Sequence, residues 1–217
     1  FVRACVERGV RANAGHSWAT FEEMEQAVRW GVRHVDHLFC AMSDRARLRQ
    51  ERNFPMRGGV MEATLYFDEL TTEVIADGMH LEGSLLKLAL KIKGADRLAL
   101  VTDCSRALDL PDGGPYWFGP SEEGEPIIKQ GGVGRTLDGE KLGSSVVGMD
   151  HCVRTFAQLA ERPLWEAVKM ASLTPARIAG WERDLGSLEV GKLADVLVLD
   201  RDAGVERVFI KGREIPI

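Results

Sequence analysis

The sequence predicts an α/β fold built from the strands and helices of a parallel barrel. Short apolar segments alternate with segments of helical periodicity through the first half of the chain. A polar residue follows each predicted strand, namely His16, His37, Asp77 and Asp103. In (β/α)8 barrels of the TIM type, the loops at these strand ends build the site. Only four such strands are recognisable, which corresponds to half of a barrel.

The helices of this first half have clear start and stop signals. Thr20 is followed three residues later by Glu23, which is the capping-box spacing, and Gly31 is a typical terminator. Gly9 and Gly94 end two further helices in the same way. The predicted helices are residues 1–8, 21–30 and 82–93, and the predicted strands are residues 10–14, 32–36, 72–76 and 97–102.

The segment Ala41–Thr64 interrupts the alternation and is predicted to be a long basic loop. Pro55, Gly58 and Gly59 break any helical or strand pattern in it. Such long loops are uncommon in compact domains, so the segment is either a lid or anion site, or a solvated excursion. Its arginines are Arg45, Arg47, Arg49, Arg52 and Arg57.

The second half has a different texture. Glycine-rich short strands predict a small β insertion near residues 111–142. Helices are predicted at residues 150–160, 163–172 and 175–179, and strands at 195–200 and 205–210. We therefore expect residues 1–180 to form part of the barrel with its β insertion, and residues 181–217 to form strands of a small domain.

Composition favours a protein that acts on small metabolites. The 217 residues are 45% hydrophobic and carry a net charge of −5, which gives no reason to expect nucleic acid or an anionic membrane surface as a partner. No apolar run approaches the roughly 18 residues of a membrane span. The four cysteines form no C-x-x-C pair, so a zinc ribbon or a disulfide framework is not indicated, and we expect a cytoplasmic location.

His16 and His37 are the candidate metal ligands. About twenty residues separate them, which suits the ends of two consecutive parallel strands joined by one helix. An isolated histidine is more often structural, so the alternative is that both have structural roles. Two ligands also leave a metal site incomplete, and we expect another ligand to come from outside residues 1–217.

Three further positions each have two possible roles, between which the residues alone do not decide. Asp103 follows an apolar strand, where its carboxylate suits proton transfer next to an activated water, or equally an N-cap or Asx turn. His80 either hydrogen-bonds a polar substrate or caps the following helix. Gly143, Ser144 and Ser145 either offer backbone N–H groups to an anion or form a turn.

Several motifs in collinear order resemble one known family. They are Gly15-His16-Ser17, His37-Leu38-Phe39-Cys40-Ala41-Met42, Ile75-Ala76-Asp77-Gly78-Met79-His80, Leu100-Val101-Thr102-Asp103, Leu142-Gly143-Ser144-Ser145, the segment 170–177 and the segment 185–195. Together they are similar to the N-acetylglucosamine-6-phosphate deacetylases of the amidohydrolase superfamily. The resemblance covers nearly the whole chain.

This resemblance implies a (β/α)8 barrel of the metal-dependent amidohydrolase type, of which the chain holds the C-terminal half, with a small β-sandwich domain. It implies removal of the acetyl group from N-acetylglucosamine 6-phosphate. The cofactor implied is a divalent metal, with zinc first and iron or manganese as alternatives. His16 and His37 are similar to metal ligands, and Asp103 to the general base and acid. The residues similar to substrate contacts are Cys40, Ala41, Asp77, Gly78, Met79, His80, Leu142, Gly143 and Ser144.

The resemblance also implies partners and shows departures. It implies a homodimer and an N-terminal barrel segment that supplies the missing metal ligand. Cys40 stands where the family has asparagine, so the substrate could also be another N-acyl amino sugar or an N-acyl amino acid. Arg52 lies nearest to the family's phosphate-binding arginine but is offset by one residue, which keeps Arg47 and Arg49 open. A sugar-phosphate-binding protein without catalysis is the third reading, because half a barrel leaves strand edges uncovered.

Overall fold

The computed structural model describes residues 1–44, 55–120 and 124–217. These residues divide into two compact units. Unit 1 consists of Phe1–Val74 and Leu88–Ala99, and unit 2 consists of Ile75–Lys87 and Leu100–Ile217. No helix within these ranges is both long and apolar enough to cross a lipid bilayer.

A four-stranded sheet of order β1-β2-β3-β4 organises the first half of the chain. Its neighbours β1 and β2 are parallel, as are β2 and β3. Strands and helices alternate as the sequence predicts, although β1 and β2 pair over only two residues each and are shorter than expected. The elements are α1 (Val2–Glu7), β1 (Asn13–Ala14), α2 (Phe21–Trp30), β2 (His34–Val35), α3 (Val60–Tyr66), β3 (Thr71–Ile75), α4 (Gly83–Lys93) and β4 (Leu98–Val101).

Helix α2 confirms the predicted capping box. The Glu23 N–H donates to Thr20 Oγ1 at 3.2 Å, and Glu23 Oε2 accepts from the Thr20 N–H at 2.8 Å. Gly31 ends the helix with φ at 111°, a left-handed conformation that glycine adopts at low cost. The helix buries Met24 and Val28, so its register fixes where the chain enters β2.

The predicted loop Ala41–Thr64 is wrong at its end, because helix α3 begins at Val60. Glu62 reaches back to accept the Gly59 N–H at 2.8 Å, and Ser43 Oγ accepts the Val60 N–H at 3.0 Å. Val60, Ala63 and Thr64 are buried. The start of this helix is therefore capped by Ser43, which is distant in sequence, and by Glu62, which lies inside the helix. Gly58 and Gly59 make the same segment look like a loop.

Unit 2 contains two antiparallel sheets and three consecutive helices. One sheet has the order β5-β6-β7-β8 and lies where the β insertion is predicted; the other has the order β11-β10-β9. Phe156 of α5 and Met170 of α6 are fully buried in this half. The elements are β5 (Gly113–Trp117), β6 (Pro126–Gln130), β7 (Val133–Thr136), β8 (Leu142–Ser145), α5 (Met149–Leu159), α6 (Leu164–Ala171), α7 (Leu173–Ala179), β9 (Val196–Leu199), β10 (Val205–Ile210) and β11 (Arg213–Ile215).

Two strands of unit 2 are absent from the sequence-based assignment. The turn alternative for Gly143 and Ser144 is wrong, because both lie in β8, where Ser144 pairs with Gly134 of β7. Strand β11 adds a third strand to the predicted two-stranded ending. Each is short and lacks the alternating apolar pattern that identifies a strand. The small sandwich domain and its boundary at residue 180 stay predictions.

Candidate active site

The parallel pairing of β1 with β2 brings His16 and His37 together. Beyond the strands, the Asp36 N–H donates to Ala14 O at 3.0 Å, and Ser17 and Met42 form a parallel bridge. These contacts align the two segments that carry the histidines. The Nε2 atoms of the two rings lie 3.1 Å apart, with ring centroids separated by 4.8 Å.

The separation of this pair suits two ligands to one ion, and it also suits a direct hydrogen bond between the two rings. Two imidazole nitrogens bound to one tetrahedral zinc lie about 3.3 Å apart, because each Zn–N bond is about 2.0–2.1 Å long. The Nε2–Nε2 distance of 3.1 Å is close to that value. His37 Nδ1 is buried and has no hydrogen-bond partner among the described residues. The nitrogen set therefore fits a borderline divalent metal with Nε2 as the ligand atom.

The segment after β2 is sharply bent next to His37. The Cys40 N–H donates to the His37 carbonyl at 3.0 Å. Phe39 and Ala41 have φ values of 77° and 48°, in the left-handed region that is costly for residues with a Cβ. Cys40 and Ala41 thus lie at a turn held directly against a candidate metal ligand.

Asp77 organises the turn that carries His80. Asp77 Oδ1 accepts the backbone N–H groups of Met79 and His80, both at 2.9 Å. Asp77 Oδ2 lies 2.7 Å from His80 Nδ1, which fixes Nδ1 as the protonated nitrogen beside an ionised carboxylate. Gly78 has φ at 82°. The turn therefore presents the His80 ring with Nε2 as its outer nitrogen.

The ionised form of Asp77 is stabilised by these contacts. Burial opposes its charge, but the hydrogen bonds from the His80 ring and from the His80 and Met79 N–H groups outweigh burial and lower the pKa of Asp77 below 3.8. His151 Nε2 lies 3.1 Å from the Asp77 carbonyl and holds the turn from the other side. Burial raises the pKa of the neighbouring Cys152 thiol to about 12, which excludes a thiolate nucleophile there.

Asp103 lies directly after β4 in a left-handed backbone conformation, with φ at 46°. The next residue, Cys104, forms a parallel bridge with Ser145, and the Ser105 N–H donates to Ser145 O at 3.0 Å. The segment Leu142–Ser144 of β8 is thereby attached to the chain that follows Asp103. The structure thus brings together two segments that the sequence predicts as parts of the site.

The Lys129 side chain secures the same region from β6. Its Nζ donates to the carbonyls of Ala107, Leu108 and Leu110 at 3.1, 2.6 and 2.7 Å. Three carbonyls on one ammonium group restrain the segment that follows Asp103. Arg52, together with the alternatives Arg47 and Arg49, lies outside the described residues, so the predicted phosphate contact stays a prediction.

A second group of potential ligands was not predicted from the sequence. His34, Asp36 and Glu73 each offer one ligand atom, and these atoms all lie within 4.8 Å of one another. The signal in the sequence is the alternation of polar residues at 34 and 36, in β2 and directly after it, and at 71 and 73 in β3. His151 was also missed, because a single histidine in the first turn of a helix has no distinguishing pattern.

Comparison with known proteins gives a consistent result. The model of the amidohydrolase family matches residues 3–215. A relative from Lysinibacillus sphaericus named N-acetylglucosamine-6-phosphate deacetylase is 31% identical over 213 residues, which covers 98% of this chain and 51% of the relative. An Escherichia coli O157:H7 relative named N-acetylgalactosamine-6-phosphate deacetylase is 32% identical, with 98% of this chain and 52% of the relative covered.

A solved structure gives the same assignment. The crystal structure of N-acetylglucosamine-6-phosphate deacetylase from Pasteurella multocida matches with a TM-score of 0.86 and 30% identity, covering 99% of this chain and 52% of that one. The predicted α/β fold of the amidohydrolase type is thereby confirmed. The chain spans about half the length of the curated relatives it matches. From these matches and its paired strand-end histidines, we conclude that the chain belongs to the amidohydrolase family, whose members are metal-dependent hydrolases.

Proposed function

We propose that the chain carries part of a metal-dependent deacetylase that converts N-acetylglucosamine 6-phosphate to glucosamine 6-phosphate and acetate. The observation that carries the proposal is the 3.1 Å separation of His16 Nε2 and His37 Nε2. Family membership and the names of the relatives support the amide-hydrolysing chemistry and the substrate class.

His16 and His37 would hold the metal, zinc first, with iron or manganese as alternatives. When bound, the ion supplies Lewis acidity, which polarises an amide carbonyl and makes water a better nucleophile. Two histidines are fewer ligands than such a site needs. We therefore include in the proposal a further ligand from an N-terminal barrel segment outside residues 1–217, which agrees with a chain about half as long as its relatives.

Asp103 serves as the base and then as the acid. Its carboxylate takes a proton from the water that attacks the acetamide carbon. It then returns the proton to the nitrogen as the C–N bond breaks, so that the amine leaves neutral. A position directly after a buried strand, with the backbone held by the Cys104–Ser145 bridge, gives the carboxylate a fixed starting point.

His80 orients the substrate. Because Nδ1 is bound to Asp77, Nε2 is the nitrogen that contacts a substrate oxygen. Gly78 and Met79 belong to the turn that positions the His80 ring. The remaining contacts of the proposal are Cys40 and Ala41, the segment Leu142–Ser144, and Arg52 on the sugar phosphate, where a guanidinium binds bidentately.

The proposal includes a homodimer, which the resemblance implies, and a cytoplasmic location, which the absence of a C-x-x-C pair among the four cysteines favours. The sugar itself is less constrained, since one relative is named for N-acetylgalactosamine 6-phosphate.

The test of the general base is Asp103→Asn. We expect the variant to lose at least about 100-fold in kcat, because asparagine accepts no proton, while it retains the metal content of the unchanged protein. Acetate release and elemental analysis measure the two quantities. Turnover at the original rate would remove Asp103 from the mechanism, and loss of the metal would indicate that Asp103 is a ligand instead.

The test of the substrate class compares N-acetylglucosamine 6-phosphate with unphosphorylated N-acetylglucosamine. We expect kcat/KM to fall by at least about 100-fold without the phosphate, since a charge-assisted contact contributes about 1.5–3 kcal/mol and positions the amide as well. N-acetylgalactosamine 6-phosphate is the control for sugar choice. Equal rates with and without phosphate would overturn the substrate assignment and leave the amidohydrolase chemistry intact.

A further inference from the structure

His34, Asp36 and Glu73 form a compact group in unit 1. The parallel register pairs His34 with Thr71 and Val35 with Thr72. Extended by one residue, this register places Asp36 beside Glu73. His34 is 6% exposed. The ligand atoms of the three side chains lie within 4.8 Å of one another, and neither His16 nor His37 belongs to the group. The group is therefore distinct from the His16–His37 pair.

The neighbours of His34 indicate which of its ring nitrogens donates a hydrogen bond. Thr71 Oγ1 donates its proton to the Arg33 carbonyl at 3.0 Å, so it is an acceptor toward His34 Nδ1, which lies 2.8 Å away. Nδ1 is thus the nitrogen that carries the proton. In neutral His34 the lone pair then lies on Nε2, as in histidine ligands whose other nitrogen is held by a hydrogen bond.

This lone pair faces a carboxylate. His34 Nε2 lies 3.4 Å from Glu73 Oε2, so two acceptors oppose each other at a largely buried position. The contact is unfavourable unless a cation lies between or beside them. A proton on Nε2 would serve this pair. Among the described residues, Asp36 accepts a hydrogen bond from the neutral Asn13 amide at 3.3 Å, and this contact does not balance the charge of the Asp36 carboxylate.

A divalent cation would satisfy all three side chains. One neutral imidazole and two carboxylates carry a formal charge of −2, which a divalent ion balances. A set of one nitrogen and two carboxylate oxygens suits manganese, iron or zinc. We propose that His34, Asp36 and Glu73 bind a divalent cation at a site separate from the His16–His37 pair, where the ion joins β2 to β3.

The test counts ions in the purified protein after metal removal and reloading with Zn²⁺. The double variant His16→Gln, His37→Gln removes the other pair and isolates the proposed site. We expect one ion per chain in the double variant. The unchanged protein binds a second ion when the polypeptide that completes the His16–His37 pair accompanies it. We expect none after Glu73→Gln is added to the double variant. This readout does not depend on catalytic activity, so it is independent of the deacetylase proposal.

The design separates loss of ligation from loss of folding. Glu73→Gln keeps the size of the side chain and is checked by circular dichroism. Glu22→Gln, on the exposed surface of α2, makes the same charge change outside the group and should leave the count unchanged. Weakening of the isolated site by at least tenfold in Glu73→Gln supports the proposal. A double variant that binds no Zn²⁺, or a Glu73→Gln protein that binds it equally well, overturns the proposal.

Discussion

Asp77 shows how one buried side chain fixes the orientation of another. Both of its oxygens are occupied within the turn, one by two backbone N–H groups and the other by the His80 ring. Its own carbonyl is held by His151. The proposed substrate contact through His80 therefore depends on residues that need not touch the substrate.

We predict that His151→Phe weakens this turn. The change removes the donor to the Asp77 carbonyl, and an unsatisfied buried carbonyl costs about 1–3 kcal/mol. Urea unfolding should show the loss, and KM should rise more than kcat falls if His80 binds the substrate. His151→Gln, whose amide reaches a similar position, should retain much of the stability and much of the substrate binding of the unchanged protein. Equal stability of the phenylalanine and glutamine variants would contradict this role.

At the residue scale, the sequence predicts side chains at strand ends better than those inside strands. His16 and His37 stand out because each follows a short apolar segment. His34, Asp36 and Glu73 do not, because alternating polar residues also describe an ordinary half-buried strand. Only the register of β2 against β3 reveals that their ligand atoms converge.

Among the elements, α2 was predictable to the residue and α3 was not. Thr20, Glu23 and Gly31 are local signals that specify both ends of α2. The start of α3 instead depends on the hydroxyl of Ser43, which is distant in sequence. Capping by a distant side chain leaves no pattern in a short window of sequence, which explains why the predicted loop extended too far.

The end of α3 is bound to α4 by Lys93. Its Nζ donates to the carbonyls of Thr64 and Phe67, both at 2.9 Å, and the residue is 2% exposed. Burial, aided by the positive charge of Arg97 and opposed by Asp68 and Glu69, lowers the pKa of Lys93 from 10.5 to about 8. The folded chain therefore releases this proton at a lower pH than the unfolded chain.

This difference predicts a pH dependence of stability. Between pH 8 and 10.5 the unfolded chain binds more protons at Lys93, so the contribution of Lys93 to the unfolding free energy rises with pH. The rise is at most about 1.4 kcal/mol per pH unit. The unfolding free energies of the unchanged protein and of Lys93→Met, measured by urea unfolding, should diverge over this range. That of the unchanged protein should rise relative to that of the variant. Parallel pH profiles would contradict the lowered pKa.

At the scale of the whole molecule, the chain is about half as long as its curated relatives. The region that matches the Lysinibacillus sphaericus relative covers 98% of this chain but 51% of the relative. The family and fold of this chain could be predicted from collinear motifs, because several short patterns in fixed order are specific. The identity of the residue that would complete the proposed His16–His37 site could not be predicted, because the resemblance assigns that ligand to a segment outside residues 1–217.

In the proposed function, deacetylation depends on a metal that His16 and His37 hold. The most direct measurement is acetate release from N-acetylglucosamine 6-phosphate by the purified protein, with any polypeptide that accompanies it, before metal removal, after removal and after reloading with Zn²⁺. We predict release that disappears with the metal and returns on reloading, but does not return in His16→Gln, His37→Gln. Release that persists without metal, or that survives in the double variant, would contradict the claim.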